Sequence, residues 1–241
     1  FNLPLDRWDV SNVTNMSWMF YAANNFNQSL NDWDVSNVTD MSYMLRFATN
    51  FNKALNDWDV SNVTTMSKMF ANMKEFNLAL NNWDVSNVTD MDGMFYGASN
   101  FNQPLDKWNV SQVKTMAEMF GNAKAFNEAL NDWSVSNVTS MGGMFYGAEV
   151  FNQPINDWDV SKVIKMNGMF KSATNFDQPL DKWDVSSVTN MVGMFDNAIA
   201  FNQALSKWCV FEIKTKPNNF DYVANSWTEP NKPIWGTCPN S

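Results

Sequence analysis

A phenylalanine returns every 25 residues along this chain, and each one opens the same phrase. The phrase reads F-N-x-x-L-x-x-W-x-V-S-x-V-x-x-M-x-x-M-F-x-x-A, and eight full copies fill residues 1–200. A fixed period of roughly 20 to 50 residues is typical of repeat proteins whose units stack. We therefore predict one elongated domain of eight repeats at 1–200, followed by a degenerate ninth repeat and C-terminal cap at 201–241. Because the phrase is already under way at Phe1, we expect the chain to be cut from a longer protein.

The second repeat shows what each unit is expected to form. Trp33 and Val35 alternate with polar neighbours, which is the period of a strand with one buried face. Ser36 is a favoured helix N-cap residue, and apolar residues then recur at threes and fours from Val38 to Ala48. That spacing is typical of a short amphipathic helix. The predicted fold is therefore an α/β solenoid with a parallel sheet on one face and short helices on the other.

The recurring residues are predicted to build the stack. The Phe, Trp and Met positions are expected to form the core, and the thioether column is interpreted as packing in preference to a metal box. The Asn that follows each Phe, such as Asn27 and Asn52, is expected to be buried and to bond the backbone of the neighbouring unit. Function must therefore be sought where the repeats differ from one another.

Composition excludes several classes of function. The net charge of −9 disfavours nucleic acid and anionic membranes as partners, since both favour a basic face. No apolar run is long enough to cross a bilayer, so no membrane insertion is predicted for this segment. The chain has no histidine, carboxylate pairs recur with the repeat, and no glycine-rich phosphate loop is present. We therefore predict that the protein is not an enzyme and has no catalytic residues.

The two cysteines, Cys209 and Cys238, both follow the last full repeat. A bridge between them would staple the C-terminal end, stabilise the fold by roughly 3–4 kcal/mol, and imply an oxidising, extracellular compartment. The alternative is a pair of unrelated free thiols.

The phrase L-x-x-W-D-V-S-x-V-x-x-M-x-x-M-F-x-x-A-x-x-F-N-Q-P-L resembles the 25-residue repeat of BspA-like leucine-rich-repeat bacterial surface proteins. The type found in Mycoplasma lipoproteins and Lactobacillus surface proteins is the most similar. The resemblance implies a leucine-rich-repeat-like, right-handed stack of strand-helix units, exported or displayed at the cell surface and used in adhesion or protein binding. The ending from Trp235 to Pro239 is similar to a C-terminal cap of that family, with Cys209 as the partner of Cys238. No functional residue carries over, because ligands are largely undefined in the family.

The residues just before and just after each repeat Trp are predicted to be exposed, and we call this surface the Asp face. Its binding candidates are Arg7, Asp9, Asp32, Asp34, Asp57, Asp59, Asp84, Lys107, Asp132, Asp157, Asp159, Lys182 and Asp184. Three interpretations of the carboxylate column remain open: hydrogen bonding to nearby backbone or Ser groups, binding of a cation such as Ca²⁺, or contact with a partly basic protein. No metal ligands are assigned and no other cofactor is expected.

A second set of candidates lies outside the apolar stripe of the predicted helices. These residues are Trp18, Tyr21, Tyr43, Tyr96 and Tyr146. Exposed aromatic side chains can stack on sugars or anchor a protein contact, and the alternative is packing between adjacent helices.

The sequence as a whole favours an extracellular adhesin or protein-interaction module, either displayed on the bacterial surface or secreted. Its expected partner is a surface protein of a host or neighbouring cell, or a glycan. The alternatives are a carbohydrate-binding surface protein that uses the exposed aromatic residues, and a structural spacer with no ligand.

Overall fold

The computed structural model describes residues 1–239, so the last two residues of the predicted cap lie outside it. Within that range the only helix is a 3₁₀ turn at Glu229–Asn231. The β pairing consists of isolated parallel bridges, one between successive repeats, from Asn15↔Asp40 to Lys165↔Asn190. The predicted α/β solenoid, with its parallel sheet and its leucine-rich-repeat-like helices, is therefore wrong. Each 25-residue repeat instead forms a coil of consecutive turns that stacks on the next coil.

The segment predicted to be helical is a run of turns. The Met44 N–H donates to the carbonyl of Met41 at 3.2 Å, three residues back, whereas the Tyr43 N–H donates to Ser67 in the next coil at 2.8 Å. Tyr43 and Phe47 have φ values of 60° and 63°, in the left-handed region that interrupts a helix. Successive four-residue turns return a side chain to the core at threes and fours. The burial pattern therefore imitates that of an amphipathic helix.

The segment predicted to be a strand has the expected alternation of buried and exposed residues but no ladder of backbone hydrogen bonds. Turns flank it, with the Trp58 N–H bonded to Leu55 O at 3.2 Å and the Val63 N–H bonded to Val60 O at 2.9 Å. The coils are joined here by a side chain, because the Trp58 indole N–H donates to the carbonyl of Leu30 in the preceding coil at 2.8 Å. The same bond recurs from coil to coil along the stack.

The core is one continuous cluster that runs the length of the stack, as the periodic Phe, Trp and Met residues predict. Phe26 and Phe51 stack with ring centroids 5.9 Å apart and planes within 3°. Trp58 and Trp83 stack at 6.3 Å. Met41 is fully buried, like its counterparts in the later coils. Aromatic columns held at this spacing gain stabilisation beyond their buried area.

The Asn that follows each Phe joins neighbouring coils, as predicted. Asn2 accepts a hydrogen bond from the backbone N–H of Asn27 at 2.8 Å, and Asn27 accepts one from Asn52 at 3.0 Å. The single replacement in this column, Asp177, accepts the corresponding bond from Asn202 at 2.9 Å. The expected burial of these side chains is wrong: they are half-buried or exposed, so the amide column runs along the rim of the stack.

The two ends of the stack differ. At the first coil Phe1, Leu3 and Trp8 are 64%, 67% and 54% exposed. At the other end Trp227 packs edge-on against Phe201 with centroids 4.9 Å apart and covers the last aromatic column. Cys209 and Cys238 form a disulfide that ties this cap to the ninth coil.

Candidate functional site

The Asp face lies where the sequence predicts, and all of its candidate residues are exposed. Its carboxylates hydrogen-bond within their own coil. Asp159 accepts the backbone N–H and the hydroxyl of Ser161 at 3.1 and 2.6 Å, and Asp34 binds Ser36 in the same way. Hydrogen bonds from Ser two residues later lower the pKa values of Asp9, Asp34, Asp84 and Asp159.

This geometry corresponds to the first of the three interpretations of the carboxylate column. Within residues 1–239, no group of three or more acidic, Cys or His side chains is placed to hold a metal ion. The residues before each Trp are more varied: Lys182 pairs with Asp157 at 2.6 Å, and Asp57 accepts the amides of Asn31 and Asn56. Whether this face also contacts a partner stays a prediction.

A second surface is formed by the turns that replace the predicted helix, and its residues range from exposed to buried. We call it the turn face, and it consists of Ser17, Trp18, Tyr21 and Ala22 of the first coil with their equivalents in later coils. The Trp18 column varies more than any buried column, reading Trp18, Tyr43, Lys68, Gly93, Glu118, Gly143, Gly168 and Gly193. All eight of these residues have a positive φ, between 55° and 64°.

The positive φ explains why glycine recurs in this column, and it makes the residues other than glycine candidates for a functional role. A left-handed backbone costs an ordinary L-residue roughly 1–2 kcal/mol, and glycine avoids that cost. This column therefore holds four residues in a backbone conformation that would cost glycine less free energy: Trp18, Tyr43, Lys68 and Glu118. Strained positions of this kind are concentrated at functional sites.

The first two coils of the turn face carry a cluster that we call the aromatic patch: Trp18, Tyr21, Tyr43, Arg46 and Phe47. Trp18 stacks on Tyr43 with centroids 4.1 Å apart and planes within 6°, and it meets Tyr21 at 4.9 Å. Tyr21 packs edge-on against Phe47 at 5.9 Å. Trp18 remains 51% exposed and Tyr21 42% exposed, so the patch presents aromatic surface to solvent.

Arg46 adds a cation to the aromatic patch. Its guanidinium lies 5.4 Å from the ring centre of Tyr43 and 5.0 Å from that of Phe47. Its Nε is buried without a hydrogen-bond partner, and no carboxylate within residues 1–239 forms an ion pair with it. Sequence reasoning did not single out Arg46 or Phe47. The available signal was their place in the same repeat columns as Tyr21 and Ala22.

The other two aromatic candidates lie further along the turn face, and the structure does not bring them together. Tyr96 lies over the backbone of Gly121 in the next coil, where an added Cβ would come within 2.8 Å of its ring. Tyr146, two coils beyond Tyr96, borders an open cleft of about 500 Å³. The five predicted aromatic residues thus divide into three in the patch and two separate residues.

The stacked coils and their repeating core define a repeat protein, and comparison with models of protein families identifies its family. The model of the DUF285 family, described as a Mycoplasma protein of unknown function, matches residues 1–84, 53–153, 74–174 and 128–232. The chain therefore belongs to this family. Membership suggests a surface location. No curated protein is significantly similar to the chain. No helix in the described part of the chain is long and apolar enough to span a membrane.

Proposed function

We propose that this protein is a cell-surface adhesin, a binding module that holds a protein partner through the aromatic patch on its turn face. The observation that carries the proposal is the stacking of Trp18, which is 51% exposed, on the half-buried Tyr43. Tryptophan, tyrosine and arginine dominate the binding energy of protein interfaces, and the patch contains all three.

The backbone conformation of the aromatic patch supports a role in binding for its bulky side chains. Trp18 and Tyr43 have φ values of 64° and 60°, whereas the same column carries glycine in four later coils. Keeping bulky residues here costs roughly 1–2 kcal/mol each. Stacking between the two rings offsets part of that cost and holds both in one orientation. Preorganised aromatic side chains lose little conformational entropy when a partner binds, which favours affinity.

The chemistry of Arg46 indicates what the partner presents. Its guanidinium is held over two rings and has no acidic partner within residues 1–239. A carboxylate of the bound protein can therefore form an ion pair with it. The surrounding rings match apolar side chains. The proposed partner is therefore a surface protein of a host or neighbouring cell whose contact region combines an acidic residue with apolar ones.

An extracellular location, either on the bacterial surface or secreted, is part of the proposal. The disulfide between Cys209 and Cys238 supports it, because such bonds persist in oxidising compartments. The resemblance of the repeat to BspA-like surface proteins is a second support, although these coils lack the strand and helix of a leucine-rich repeat.

Binding of the purified protein to intact host-type cells, measured by flow cytometry before and after surface proteolysis of the cells, tests the proposal. Trp18→Ala should weaken binding about 30-fold, the loss typical of a central interface tryptophan. Phe211→Ala is the matched control, since Phe211 is 53% exposed and lies in the terminal cap. Equal binding by the two variants, or binding that survives proteolysis of the cells, would contradict the proposal. A complete absence of binding would favour the structural spacer.

A further inference from the structure

A cleft runs along the turn face from Lys68 of the third coil to Lys171 of the seventh, whereas the aromatic patch occupies the first two coils. Its volume is about 500 Å³, and its floor includes Gly142, Gly143 and Gly168. In the first coil the positions of Gly142 and Gly143 are occupied by Ser17 and Trp18, which both carry side chains. The missing side chains therefore create the cleft.

Two backbone N–H groups in the lining of the cleft lack the bond that other coils make. In the second coil the Ser42 N–H donates to the side chain of Asp40 at 2.8 Å, and in the eighth the Val192 N–H donates to Asn190 at 3.1 Å. The equivalent donors here follow Ser140 and Lys165, and neither side chain accepts them. The N–H groups of Gly142 and Asn167 consequently have no acceptor within residues 1–239.

The side chains around the cleft add an acceptor and a ring. The Glu118 carboxylate is exposed and makes no hydrogen bond or ion pair within the described part of the chain, and Tyr146 forms part of the wall. The two lining lysines are already paired, Lys171 with Asp196 at 2.9 Å and Lys68 with Asp92 at 3.1 Å. The cleft therefore offers free donors and a free acceptor but no unpaired cation.

We propose that this cleft binds a neutral sugar residue of a glycan. A sugar hydroxyl donates and accepts at once, so it can accept from the free N–H groups of Gly142 and Asn167 and donate to Glu118. The Tyr146 ring provides an apolar surface for the C–H face of the sugar. The volume lies in the range of small-molecule sites. An acidic sugar fits poorly, because Glu118 would repel it while both lysines are engaged.

The cleft can be filled without disturbing the fold by Gly142→Ser, since serine occupies the same column at Ser17, Ser42 and Ser67. The φ of Gly142 is outside the left-handed region, and an added Cβ meets the end of the flexible Asn167 amide at 2.9 Å. Glu118→Gln keeps the shape of the wall and removes its charge. Val192→Ser is the matched control, because it makes the same column a serine outside the cleft.

The experiment is an array of neutral, sialylated and sulfated oligosaccharides probed with the purified chain, followed by titration of a bound neutral oligosaccharide. We expect binding to neutral glycans, a loss of about tenfold or more in both Gly142→Ser and Glu118→Gln, and no change in Val192→Ser. Three outcomes would overturn the inference: no glycan bound, binding to acidic glycans alone, or neutral-glycan binding that both cleft variants retain. Loss in Trp18→Ala with retention in the cleft variants would place the sugar at the aromatic patch instead. Because that patch is tested with proteins on cells, either proposal can fail while the other stands.

Discussion

The left-handed residues of the turn face lead to a stability test in which a helix and a run of turns predict opposite results. Glu118 has a φ of 56°, is exposed and has no ion pair within residues 1–239, so backbone effects dominate any substitution there. Alanine keeps the left-handed cost of roughly 1–2 kcal/mol, and glycine removes it. Glycine loses about 0.5–1 kcal/mol through the greater entropy of its unfolded chain. Glu118→Gly should therefore be more stable than Glu118→Ala by about 1 kcal/mol.

Equilibrium unfolding in urea, with thermal melting as a second measure, checks this order. A difference of about 1 kcal/mol corresponds to roughly 2–4 °C in Tm for a chain of this length. In a helix the order reverses, because glycine there is about 1 kcal/mol less favourable than alanine. Ala117, one residue earlier and without a positive φ, is the internal control: Ala117→Gly should destabilise the protein. If Glu118→Gly proved less stable than Glu118→Ala, the left-handed turn would be refuted at this site.

Three further outcomes follow from the contacts between and within coils. Trp58→Phe removes the indole donor to Leu30 O and should lower the free energy of unfolding by about 1–3 kcal/mol in urea titrations. An unchanged urea midpoint would show that this hydrogen bond does not stabilise the fold. Ser161→Ala should raise the pKa of Asp159 in an NMR titration, because it removes the Ser161 hydroxyl bond, the larger of the two bonds that lower that pKa, and leaves the backbone N–H bond in place. A depressed carboxyl pKa stabilises the fold above the unfolded value of about 3.9 and loses that effect as pH falls through the folded pKa, so the variant should differ least from the parent protein in strong acid. Cys238→Ser should lower the free energy of unfolding by roughly 3–4 kcal/mol under non-reducing conditions and leave it unchanged in excess reductant. An equal effect of the substitution under both conditions would exclude a stabilising bridge.

The sequence predicts the stack and its core well, since burial follows the repeat in the Phe, Trp and Met columns from the second coil onward. It misleads about local structure because residues such as Val38, Met41 and Met44 recur at threes and fours in a helix and in a run of turns alike. The distinguishing information lay in the column of Trp18, where glycine recurs. Glycine repeated beside bulky residues at one position indicates a positive φ, and a helix offers no such position.

The candidate site was only partly predictable for the same reason. Trp18 and Tyr43 stand out as aromatic residues, but their contact across two coils depends on the turn geometry. Arg46 and the free N–H of Gly142 become visible only when each residue is compared with its counterparts 25 positions away. The hydrogen bonds from Ser161 to Asp159 were among the interpretations of the carboxylate column, but the tight turn that makes them was not predicted.

The stacking of whole repeats has a mechanical consequence for a protein anchored at one end and attached at the other. Each coil packs 25 residues, which span roughly 80–90 Å when extended, into a rise of about 4.8 Å. A pull along the stack that detaches a single coil would therefore lengthen the tether by many times the height lost, absorbing the load while neighbouring coils keep their core. The cross-link between Cys209 and Cys238 withholds the terminal segment from this extension. The length of such a protein under tension is set by the number of coils that have opened, while its cross-linked terminal segment does not extend.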